Sequence, residues 1–138
     1  MAVTMKGSYI LVVFVQRNVD LIIGALGKIT FKKGFYLYVG SAMGHSGATT
    51  LINRVKRHTS SSKNKKIHWH IDYLLNGKNT SICQLYLIPS LQNLECLIAC
   101  ELFNVSDDYI NNFGSSDCKC KSHLLYFRYF KSLEELHQ

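Results

Sequence analysis

The chain has 138 residues, 47% apolar and 18% charged, the balance of one ordinary globular domain over 1–138 that can build a modest core without staples. Its 16 Lys and Arg against 9 Asp and Glu leave a net charge of +7, which suits a polyanionic partner such as nucleic acid or an acidic membrane surface. No run is apolar for long enough to span a bilayer, no signal-peptide pattern opens the chain, and an odd count of 5 cysteines argues against a disulfide framework, so the expected compartment is the cytosol.

Taken in chain order, Tyr9 to Val15 is β-branched and aromatic and predicts a strand. Leu21-Ile22-Ile23 starts a second one, with Gly24 and Gly27 suggesting a bulge or bend in it, and Lys28 to Phe31 alternates polar with apolar like its exposed continuation or a further strand. Phe35 to Val39 is the third strong strand. After a loop from Gly44 to Gly47, Thr49 or Thr50 can cap a basic helix whose Leu51, Val55 and His58 share one face. Arg54 and His58 lie one turn apart on it and can act together. A polar loop, 60–66, carries Lys63, Lys65 and Lys66; with Lys56 and Arg57 these form either an electrostatic footprint or a solvated basic face.

The stretch His68 to Leu75 fits a short helix or an extended segment. Ser81 to Ile88 reads as a strand ended by Pro89. Ser90 can cap a helix from Leu91 to Phe103, apolar almost all round and therefore expected to be buried, with Cys83, Cys96 and Cys100 as core residues. A loop over Phe113 to Asp117 leads to a last strand, His123 to Phe130, and a terminal helical turn. Strands and helices are mixed rather than regularly alternating, so the class is α+β.

Glu95 is the sharpest single residue. It and Glu101 are the only charges between Leu94 and Phe103, and six positions set them roughly 240° apart on a helix. One polar stripe cannot hold both. An unpaired carboxylate on an apolar helix is costly unless a lysine, an arginine or a hard cation such as Mg²⁺ compensates it. Arg54 could hold a phosphate through paired hydrogen bonds, or be a solvated charge. Tyr9 and Tyr38 could exchange a proton with a reacting water, or simply pack. Cys118, Cys120 and His123 could bind zinc with His68 or His70, although Cys-x-Cys is tighter than the usual structural spacing.

Gly7-Ser8-Tyr9, then Tyr38-Val39-Gly40 about thirty residues later, then Arg54 in Asn53 to His58, then Glu95, resemble the GIY-YIG nuclease superfamily. The chain resembles its Uri-type branch more closely, through Lys6 to Tyr9, Tyr38 to Gly44, His68 to Leu75, Glu95-Cys96 and Phe113 to Leu124. Ser8 stands where the superfamily's signature has isoleucine, and Val39 is a conservative change.

The resemblance implies a small central antiparallel sheet flanked by helices, and the long segment between the signatures suggests an added N-terminal hairpin. It implies one divalent metal, Mg²⁺ or Mn²⁺, held by Glu95. Tyr9 would help deprotonate the attacking water, Tyr38 would position water or phosphate, and Arg54 would bind the scissile phosphate, with Arg57 as its alternative. His58 would assist proton transfer.

The function implied is a metal-dependent DNA endonuclease of low sequence specificity, acting in repair, recombination or defence. Lys56, Arg57, Lys63, Lys65, Lys66, Ser116 and Asp117 would contact the DNA or support the site, and a protein partner could supply specificity. The alternatives are a non-catalytic nucleic-acid-binding module and a regulatory partner of another nuclease.

Overall fold

The structure is a computed structural model that describes residues 5–44, 50–59, 69–115 and 119–137. In chain order its elements are β1 (Gly7–Val15), β2 (Val19–Ile22), β3 (Lys28–Phe31), β4 (Gly34–Ala42), α1 (Leu51–Thr59), α2 (His70–Leu75), β5 (Thr80–Pro89), α3 (Glu95–Val105), β6 (Asp108–Tyr109) and β7 (Leu124–Phe127). Five strands form one antiparallel sheet in the order β5-β1-β4-β7-β6. β2 and β3 form the separate hairpin expected between the two signatures, its strands linked by a 3-10 turn at Gly24–Leu26 rather than a bulge. The class is α+β.

β1 is a central strand between β5 and β4, and a core cluster covers each of its faces, which is why its sequence is a continuous apolar run. Alternation splits the core in two. Tyr9, Leu11, Val13 and Val15 join Tyr36 and Tyr38 of β4 beneath α1, α2 and the hairpin. Ile10 and Val12 join Leu37, Val39, Leu125 and Phe127 against Ala99 and Leu102 of α3. α1 buries Leu51, Val55 and His58, the face read from its sequence.

Four expectations need correction. The helix expected from Leu91 starts at Glu95: Ser90 Oγ accepts from Gln92 N, but Asn93 Oδ1 takes the Glu95 N–H at the true start. That helix is not buried. Only Ala99 and Leu102 are, while Leu97 is 58% exposed, because the sheet covers one side of the helix alone. Cys96 and Cys100 lie on its outward side, and Cys100 forms a disulfide with Cys120, against the expectation of reduced, core cysteines. Being one turn apart on the outer face brings these residues over the segment that leads into β7. The last strand is also shorter than expected and pairs with β6, a two-residue strand with no periodicity to reveal it.

Candidate active site

Tyr9 and Tyr38 sit on adjacent antiparallel strands and point to the same side, with ring centroids 6.3 Å apart. The register sets Gly40 directly opposite Tyr9. A Cβ at Gly40 would fall on the Tyr9 ring, so the glycine of the second signature is the floor on which the tyrosine of the first one lies. Tyr9 Oη is 2.7 Å from His58 Nε2, whose ring stands 5.4 Å from that of Tyr9 and 6.3 Å from that of Tyr38. Burial pushes both phenols well above their usual ionisation range; Tyr38 adds to this at Tyr9 and Glu95 at Tyr38, while Arg54 opposes it at both. Neither phenol is a phenolate near neutral pH.

His58 is held from its other side by the segment before α2. Asp72 is buried, accepts Arg57 Nη1 on Oδ1 and Nη2 on Oδ2, both at 3.0 Å, and takes the Trp69 backbone N–H on Oδ2 at 2.8 Å. This last bond closes the first turn of α2, and it explains why the segment is a helix. Both guanidinium groups of α1 stack on Trp69, Arg54 at 4.7 Å and Arg57 at 4.3 Å from the ring centre. Arg57 is therefore committed to Asp72, which removes it as the alternative to Arg54. Arg54 reaches Ser41 O with Nη1 at 3.0 Å, and its buried Nε–H has no hydrogen-bond partner among the described residues. A buried donor left open is what an incoming phosphate oxygen would satisfy.

Glu95, at the first position of α3, meets the same Ser41 from the opposite side of the sheet. Its Oε2 accepts Ser41 Oγ at 2.8 Å, and its Oε1 lies 3.0 Å from His123 Nδ1. An ionised carboxylate only accepts, so His123 carries its proton on Nδ1. His123 is fixed in turn by its backbone, which accepts from Val39 N and donates to Phe113 O. Glu95 remains 21% exposed. A largely buried, doubly oriented carboxylate with lone pairs to spare suits one hard divalent cation completed by water and substrate oxygen, so the residues present fit Mg²⁺ or Mn²⁺. Glu101 faces solvent.

The loop at Phe113 and Gly114 closes over Tyr38. The Phe113 ring meets that of Tyr38 edge-on at 6.2 Å, and Gly114 N donates to His70 Nδ1 at 3.1 Å. Burial disfavours the charged ring and holds His70 below its ordinary 6.5, and the neutral ring is the form that accepts this bond. A depressed pKa means the unfolded chain takes up the proton first, so stability present above pH 6.5 is lost as pH falls through the lower folded value. The melting temperature should therefore drop between pH 7.5 and 5.5, and drop less in His70→Gln, which titrates no proton there. Equal drops in both proteins would remove His70 from this account.

The structure thus brings together Tyr9, Tyr38, Arg54, His58 and Glu95. Lys56 lies on the exposed side of α1. Lys63, Lys65, Lys66, Ser116, Asp117, His68 and Cys118 fall outside the described residues. The zinc set does not form among the described residues: Cys120 is in the disulfide, the His123 ring is turned to Glu95, and no group of three metal-ligating side chains is present. Sequence reading missed Ser41, Asp72 and His123 as parts of the site. The signal available for them was adjacency: each lies inside a stretch that carries the resemblance.

Fold and site define an α+β protein with two buried phenols, a histidine, an arginine and a carboxylate converging where β4 leaves the sheet. The chain belongs to the family described as domain of unknown function DUF123, whose model matches residues 8–138. Neither the curated proteins nor the solved structures contain a match to it. Among the described residues, no helix is long and apolar enough to cross a membrane.

Proposed function

We propose that this protein is a GIY-YIG-type endonuclease of the Uri-like branch, hydrolysing DNA phosphodiesters with one divalent metal. The observation that carries the reading is Ser41, which joins Arg54 through its carbonyl and Glu95 through its hydroxyl, one residue beyond the signature whose Gly40 seats Tyr9. A module that only bound DNA would have no use for a carboxylate held by two side chains beside a phosphate-binding arginine.

Arg54 binds the non-bridging oxygens of the scissile phosphate and offsets charge as the transition state forms. Tyr38 positions the water or the phosphate. Tyr9 takes a proton from the attacking water. Glu95 holds the metal and Ser41 and His123 orient Glu95. When bound, Mg²⁺ or Mn²⁺ supplies Lewis-acid stabilisation at the phosphate and leaving oxygen. Exposed Lys56, with Lys63, Lys65 and Lys66, follows the backbone and gives affinity without sequence reading, so specificity is low and falls to DNA structure or to a partner protein. Work in repair, recombination or defence, in the cytoplasm, fits such an activity.

The test is end-labelled single-stranded, duplex and branched DNA with Mg²⁺ or Mn²⁺, with and without chelator, beside Tyr9→Phe. Metal-dependent cutting that falls at least about a hundredfold in Tyr9→Phe, with DNA binding retained, is the expected result. Binding without cutting on every substrate would favour the nucleic-acid-binding module instead.

A further inference from the structure

We infer that Asp72 is a positioning residue, which sets the tautomer of His58 so that Nε2 can receive the Tyr9 proton. This rests on the endonuclease reading for its chemistry, but the arrangement is visible without it. His58 is buried between three elements: Tyr9 of β1 and Tyr38 of β4 on one side, Asp72 and Trp69 at the start of α2 on the other, with Arg54 and Arg57 on its own helix. Its two ring nitrogens face different chemistry. Nε2 meets the Tyr9 hydroxyl at 2.7 Å, and a hydroxyl can donate or accept. Nδ1 faces Asp72 Oδ1 at 4.0 Å, and a carboxylate only accepts.

That distance is too long for a direct hydrogen bond, so the Asp72 effect at Nδ1 is electrostatic. It favours the neutral ring that carries hydrogen on Nδ1 and a lone pair on Nε2. Arg57 neutralises most of the Asp72 charge through its two 3.0 Å bonds, which makes the influence directional rather than a net pull on a proton. Oδ2 carries two of the three bonds described for this carboxylate, from Arg57 and Trp69, and Oδ1, the oxygen nearer His58, carries one. Asp72 could have served only as a helix cap and a partner for Arg57. Its burial at the back of a histidine that touches the candidate base is what a merely structural cap would not need.

The step that follows is balanced. The water oxygen forms a bond to phosphorus as its proton passes to Tyr9 Oη and the Tyr9 proton passes to His58 Nε2. The phosphorus bond to the leaving oxygen breaks, that oxygen takes a proton from solvent to leave as a hydroxyl, and the imidazolium afterwards returns its proton to solvent. Tyr9 is never required to be a stable phenolate, which its burial forbids.

Long-range nitrogen–proton correlation on the histidine rings, assigned with a His58→Gln sample, tests this directly. The full chain should show His58 protonated at Nδ1 and bare at Nε2 near neutral pH, and Asp72→Asn should lose that preference. Cleavage by Asp72→Asn should fall about a hundredfold or more in kcat with KM nearly unchanged. A native His58 protonated at Nε2 overturns the inference, as does undiminished kcat in a folded Asp72→Asn. If that variant fails to fold, the native spectrum still decides. A protein with the inferred tautomer that cuts no DNA would keep the inference about Asp72 and sink the nuclease reading.

Discussion

Glu95→Ala should abolish cleavage, by at least about a thousandfold, while the protein stays folded and still binds DNA. The expectation follows from where the carboxylate sits. In the proposed function it holds the metal, and in the structure it is the acceptor for Ser41 Oγ and His123 Nδ1. Removing it leaves the Lewis acid without its protein ligand and lets His123 and Ser41 relax. The fold has less to lose. Glu95 begins α3 rather than packing inside it, and alanine is a good helix former, so the loss of stability should be about 1–3 kcal/mol, the scale of leaving Ser41 Oγ and the buried His123 Nδ1 without their acceptor. Glu95→Gln sharpens the test, because an amide oxygen can still accept from Ser41 but is a poor ligand for a hard cation. Both variants should be inactive. An active Glu95→Gln would mean that the carboxylate orients Ser41 and His123 and holds no metal.

Much of the fold was legible because one kind of pattern carried it. The continuous apolar runs of β1 and β4 reflect strands covered on both faces, and the 3.6 period of α1 reflects one face pressed against a neighbour. α3 failed for a physical reason: an apolar helix looks buried from its sequence, yet only Ala99 and Leu102 are fully buried against the sheet, with Ile98 and Phe103 partly so, and the far side is finished by a disulfide between Cys100 and Cys120. No period announces a cross-link. Within the site, Tyr9, Tyr38, Arg54 and Glu95 stood out by type and order. Their supports did not. Ser41, Asp72 and His123 are ordinary polar residues whose role exists only once β4 and β7 pair and α1 meets α2, contacts between residues far apart in the chain. Trp69 is similar: only the structure shows both Arg54 and Arg57 stacked on it.

Gly40→Ala should be severely damaging for the addition of a single methyl. The position has ordinary backbone angles, so strain in the chain is not the issue. Space is the issue, since the new Cβ would overlap the Tyr9 ring at its hydroxyl end. That ring has nowhere to go: it is 2% exposed, bonded to His58 and flanked by Tyr38. Overpacking of this kind costs about 1–3 kcal/mol, and here it also drives Tyr9 Oη off His58 Nε2, leaving buried polar groups to find new partners at about 1–3 kcal/mol more. Denaturant melts should show the combined loss, and cleavage should fall with it. The cause can be isolated with a double-mutant cycle. In a Tyr9→Leu background the ring is gone, so Gly40→Ala should cost much less stability there than in the native chain. Equal costs in the two backgrounds would mean that Gly40 is required by something other than the tyrosine it faces.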